Sequence, residues 1–190
     1  MKHFVTSLLI GIVTLSNVQA QTAAELKAER EQLVVELKSK EYLNREEKLV
    51  KLSDKTPGET GTQSIDGLAN TSTGVLGTLK ANNDILAKYK REVTDKGNGE
   101  VDITNYKASL NDYVNLAAGL VVAGTQIAAG TEQIKNAQAD AKSLSPLKAK
   151  GALNSVSYST EALKLAGEEV AFQTKLVKNL IATIKSSGNN

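Results

Sequence analysis

The chain has 190 residues, with 23 Lys and Arg against 21 Asp and Glu, no Cys, no Trp, two Pro, five Tyr and two Phe. That length suits one domain, and so even a charge balance leaves no electrostatic footprint for a nucleic-acid partner. Absence of Cys excludes disulfides, thiol nucleophiles and thiolate metal sites together.

The first twenty residues read as an export signal. Lys2 gives a short positive start, Phe4 to Leu15 is largely apolar without a charge, and Val18 and Ala20 place small residues where a signal peptidase cuts. The apolar stretch is short and diluted by Thr and Ser, which disfavours a membrane span. No Cys follows the cleavage point, so a lipid anchor there is excluded. The expected product is a periplasmic or secreted single domain, residues 21–190. Removing residues 1–20 also removes the single His and the single Met. Carboxylates, Lys, Tyr and hydroxyls are then the remaining reactive groups, without the side chain best suited to proton transfer near neutral pH. A non-catalytic protein with no cofactor and no metal is the expectation.

The predicted elements are all helical. Residues 22–53 are dense in Glu, Lys, Leu and Ala, good helix formers, with Leu26, Leu33, Leu37, Leu43 and Leu49 recurring irregularly on one side. Glu36/Lys40, Glu41/Arg45 and Glu47/Lys51 stand at the favourable i,i+4 spacing of a solvated helix. A turn-rich stretch around Pro57, Gly58 and Gly61 ends it. In 64–94, Ile65, Leu68, Ser72, Val75, Leu79, Asn82, Leu86, Tyr89 and Val93 alternate at three and four residues, the seam of a helix packed along its length. A third helix over 103–142 carries Ile103, Tyr106, Leu110, Tyr113, Ala117, Leu120, Gly124, Ile127, Thr131 and Ile134 at the same spacing. A fourth, 147–186, carries Ala152, Val156, Ser159, Leu163, Ala166, Val170, Gln173, Val177, Leu180 and Ile184. Short connections favour antiparallel neighbours, so the expected fold is an elongated up-down-up-down four-helix bundle. A kinked arrangement of five or six helices, broken near Gly124, Gly130 and Gly151, is the competing architecture.

Four local patterns bear on chemistry. Gly97-Asn98-Gly99-Glu100-Val101-Asp102, within the 94–105 loop, resembles the middle of EF-hand and dockerin calcium loops. Thr94, Lys96 and Asn105 then fall at ligand positions, and an ammonium there repels a cation, which favours a plain interhelix turn. Ser145 and Lys148 share the Ser-x-x-Lys spacing of penicillin-binding enzymes, but a Ser before Pro146 is an ordinary helix start and the companion motifs are absent. Glu46/Glu47 and Glu168/Glu169 are adjacent, so on a helix they diverge by about 100° and cannot work as a pair. Lys142, Lys148 and Lys150 form a basic cluster without interleaved aromatics, which reads as solvated surface.

The most informative stretch is Tyr113 to Thr131, nineteen residues without a charge. Its length approaches a bilayer span, but Asn115, Thr125 and Gln126 dilute it, so the expectation is a central helix surrounded by its neighbours. Gly67, Gly74, Gly119 and Gly124 are the candidate helix-packing or interaction positions, because an interior Gly that costs helix stability is readily explained by close approach of another helix. The function these features imply is association with a protein partner or with further copies of the chain. Insertion of residues 113–131 into a membrane is the alternative.

Overall fold

The computed structural model describes residues 21–95 and 110–186. These form five helices and no strand: α1 (Ala23–Lys38), α2 (Lys40–Ser53), α3 (Gln63–Asp95), α4 (Leu110–Ser143) and α5 (Pro146–Ser186). The all-α class holds, and the expected count of four is corrected to five. The signal segment 1–20, the helix start at residue 103 and most of the 94–105 loop lie outside the described residues.

The extra helix comes from a break at Ser39, not at a glycine. Ser39 has φ −68° and ψ 147°, and its Oγ accepts from the Tyr42 N–H at 3.1 Å, so one residue ends α1 and N-caps α2. The apolar pattern explains the need for it. Leu26, Leu33 and Leu37 are buried on α1, and Tyr42, Leu49 and Leu52 on α2. Leu37 and Tyr42 are five residues apart and would stand about 140° out of phase on an uninterrupted helix. The break returns both to the core and turns Leu43 outward, 53% exposed, against its expected place on the apolar side. The break also separates Glu36 from Lys40; Glu36 lies instead 3.7 Å from Lys175 on α5. Of the three expected i,i+4 pairs, Glu47–Lys51 forms, whereas Arg45 reaches Glu169 across the bundle at 3.0 Å. Gly124, Gly130 and Gly151 all sit inside unbroken helices.

The other helix ends follow ordinary chemistry. Thr22 and Glu25 form a reciprocal capping box at the start of α1. Before α3, Asp66 folds the chain back on itself: its carboxylate accepts from the Thr60 N–H and Oγ1, both at 2.8 Å, and from the Gly61 N–H at 2.9 Å. Gly61 has φ +72°, a conformation that glycine adopts without cost.

Cross-helix contacts fix the directions. Ser64 on α3 donates to Asp140 on α4 at 2.6 Å, near the start of one and the end of the other. Leu144 and Ser145 alone link α4 to α5, which makes those two antiparallel neighbours. The α1–α2 arm runs antiparallel to α5: Leu26 O accepts from Asn179, and at the other end Leu52 O accepts from Tyr158. The longest helix, α5, is the one the others surround; it packs against all four. All ten of its predicted seam residues are buried, as are Ile65, Leu68, Ser72, Val75, Leu79, Asn82 and Leu86 on α3. At 41 residues, α5 gives the molecule a length of about 60 Å.

Candidate functional site

Among the described residues, the helices do not ring residues 113–131. The expectation of a central buried helix is corrected: α4 packs one side against α3 and α5, through Tyr113, Leu116, Leu120, Ala123, Gly124, Ile127 and Gly130. Its other side carries Val114, Asn115, Ala118, Val122, Thr125, Gln126 and Ala129, all exposed. Val114 is 46% exposed and Val122 57%. The physical reason is that α5, with its wider apolar surface, takes the central place, leaving α4 a one-sided contact. The lack of charge that suggested burial on all sides therefore extends over an open face.

The glycines divide in the same way. Gly67 and Gly74 are exposed and Gly119 is half-buried, and a Cβ on any of the three would meet nothing within 4 Å. Among the described residues, the close helix contacts expected at these three do not occur. Gly124 is buried against the bundle. Gly130 is closely approached: a Cβ there would lie 2.9 Å from Leu163 Cδ1 and 3.6 Å from Thr71 Cγ2. In the sequence Gly130 reads both as a possible break and, with Gly119 and Gly124, as suited to close helix contact; spacing marks which face a glycine is on and not how near the next helix comes.

On each of α3 and α4 the outward positions gather on one face. On α3, Gly67, Thr71, Gly74, Thr78 and Ile85 fall within a band about 60° wide, and Thr71 borders α4 at Gly130. On α4, Val114, Ala118, Val122, Thr125 and Ala129 fall within about 80°. The outward side of α3 and α4 is thus a surface of small and β-branched residues, with Ile85 at 53% exposure among them. No charged residue occurs from Gly67 to Leu79 or from Tyr113 to Thr131. A water-facing helix surface is ordinarily dotted with Lys and Glu, as on α1 and α2.

A polar cluster missed in the sequence lies between α2, α3 and α5. Glu169 is fully buried; one carboxylate oxygen accepts from Arg45 Nε at 3.0 Å and the other from Gln173 Nε2 at 3.0 Å. Gln173 also donates to Asn83 Oδ1 at 3.1 Å and Leu79 O at 3.2 Å, and accepts from Asn82 Nδ2 at 3.2 Å. The Arg45 guanidinium lies over the rings of Tyr42, at 4.9 Å, and Phe172, at 5.3 Å. Burial, then the charges of Glu169 and Glu46, raise the Tyr42 hydroxyl well above its ordinary pKa. Asn82 and Gln173 were legible as polar residues within apolar seams; Glu169 was legible only as half of an unproductive pair, and its neighbour Glu168 does point to solvent. The cluster is enclosed and each acidic oxygen is occupied, which is the arrangement of a register-setting network.

Ser145 and Lys148 do not form a reactive pair. Ser145 O accepts from the Lys148 and Ala149 N–H groups at 2.9 Å each, so this is the first turn of α5, and both side chains are exposed. Lys142, Lys148 and Lys150 are exposed as well. Among the described residues no group of three metal-ligating side chains comes together. By length and composition α4 is long and apolar enough to cross a membrane. No family model, curated protein or solved structure matches the chain.

Proposed function

We propose that this protein is an exported, non-catalytic helical bundle that acts by association, with a protein partner or with further copies of itself, through the uncharged outer side of α3 and α4. One observation carries the reading: nineteen consecutive uncharged residues on α4 present Val114, Ala118, Val122, Thr125 and Ala129 outward. Keeping apolar and small side chains in water forgoes about 25 cal/mol per Å² that contact with another surface would recover. Small side chains and the bare backbone at Gly67, Gly74 and Gly119 let a second helix approach closely. In this reading the four glycines first singled out divide by role, with Gly124 holding α4 in the bundle and the other three facing the partner.

Light scattering after size exclusion on residues 21–190 tests it. The wild type is expected to run above monomer mass at tens of micromolar, and Val122→Lys to return it to monomer with its melting temperature unchanged. A monomer at all concentrations that also gives no cross-linked adduct in its native compartment would overturn association. A second reading rests on the membrane-spanning length of α4: the same face meets lipid. Comigration of the wild type with anionic liposomes, lost in Val122→Lys, would decide for it.

A further inference from the structure

We infer that the α1–α2 arm is a releasable strap on a three-helix body, latched to α5 by polar contacts and hinged at residues 56–59. The helices α3, α4 and α5 interlock along their length through seams that are apolar apart from Ser72, Asn82, Asn83, Ser159, Glu169 and Gln173, whereas the arm contributes six buried apolar side chains, Leu26, Leu33, Leu37, Tyr42, Leu49 and Leu52, over its two helices. Much of its attachment to α5 is polar. Asn179 donates to Leu26 O and Glu29, Arg30 donates to Thr183 at 2.6 Å, and Arg45 pairs with Glu169.

That attachment is also imperfectly matched. Four buried side-chain polar atoms among the described residues lack a partner, and three of them belong to this contact: Arg30 Nε, Arg45 Nη2 and Asn179 Oδ1. Each regains a water partner when the arm lifts, which lowers the cost of opening relative to parting two apolar seams. The hinge is placed by its flanks. α2 ends at Ser53, and Asp66 holds the chain at Thr60 and Gly61, leaving Thr56 to Glu59 between the arm and the fixed start of α3. The Tyr158 bonds to Leu52 O and Lys55 O and the Lys80–Asp54 pair belong to the latch and part with it. Opening would uncover Phe172, whose ring packs against Tyr42 at a centroid distance of 4.7 Å, and would leave the outer side of α3 and α4 untouched. The strap therefore stands or falls separately from the association surface.

Hydrogen exchange with peptide-level mass spectrometry on residues 21–190 tests this. Amides in 23–53 should exchange about tenfold faster than those in 153–180, with a weaker dependence on low urea. Glu169→Gln should widen that gap by accelerating 23–53 more than the α3 and α5 segments that Gln173 also ties to it. A bis-maleimide joining Cys at positions 36 and 175 (Glu36→Cys with Lys175→Cys, specific because the chain has no Cys) should close it. Exchange of 23–53 in step with 153–180, at equal urea dependence, would overturn the proposal, as would equal acceleration of every helix by Glu169→Gln. The wild-type pattern decides by itself should the variant not fold.

Discussion

Glycines that look alike in the sequence carry opposite consequences. Gly67 and Gly74 sit mid-helix with open space where a Cβ would go, so each spends backbone entropy without an intramolecular return. Gly67→Ala and Gly74→Ala should each stabilise the protein by about 0.5–1 kcal/mol in urea titration. At Gly130 the space is taken by Leu163. Gly130→Val should cost about 1–3 kcal/mol through overpacking. Asp66 gives a pH signature at the same scale. Burial works against its ionisation, but hydrogen bonds from Thr60, Gly61 and Thr62 outweigh that and hold its carboxyl below the ordinary 3.8. A depressed folded-state pKa means stability that is fully present above the unfolded value and lost as pH falls through the folded one. Asp66→Asn should therefore lower stability at neutral pH and flatten its decline below pH about 4, measured by urea midpoints across an acid series.

At the scale of elements, the break at Ser39 decides which leucines matter. Leu49 is fully buried and Leu43 is half in water, though both belong to the same run of leucines in the sequence. Leu49→Ala should cost about 2–5 kcal/mol, while Leu43→Lys should stay within about 0.5 kcal/mol. Ser39→Ala removes the oxygen that accepts from the Tyr42 N–H and should cost about 1 kcal/mol, read as loss of α2 helicity ahead of the rest. The seams of α3 and α5 were legible because a three-four alternation maps directly onto one face of a helix. The join between α1 and α2 was not, because Ser39 is flanked by good helix formers and its capping role exists only once the two apolar stripes must meet a common neighbour.

For the whole molecule, the buried polar cluster ties α2, α3 and α5 at one level of the bundle. An ion pair removed from water recovers its desolvation only when its geometry and remaining hydrogen bonds are good. Arg45→Ala leaves Glu169 buried without its cation and should cost about 3–5 kcal/mol. Arg45→Met with Glu169→Leu should cost less than the two single changes summed, by about 1–3 kcal/mol of coupling, in a double-mutant cycle. Shallow apolar seams of Ala, Gly and Leu tolerate sliding by a turn; a Gln bonded at once to Asn82, Asn83 and Glu169 does not. The α4 face belongs to this scale too, since whether a neutral helix is enclosed or open depends on how many neighbours it has.

The sequence alone determined the all-helical class, the inward faces of α3 and α5 and the poverty of reactive side chains, because these follow from residue type and from a periodicity that each helix carries within itself. Tertiary structure decided that α5 and not α4 takes the centre, that Arg45 answers Glu169 and not Glu41, and that Gly130 is closely approached while Gly67 and Gly74 stand open. Each of these depends on the distance to another helix, and spacing along one chain contains direction but no distance.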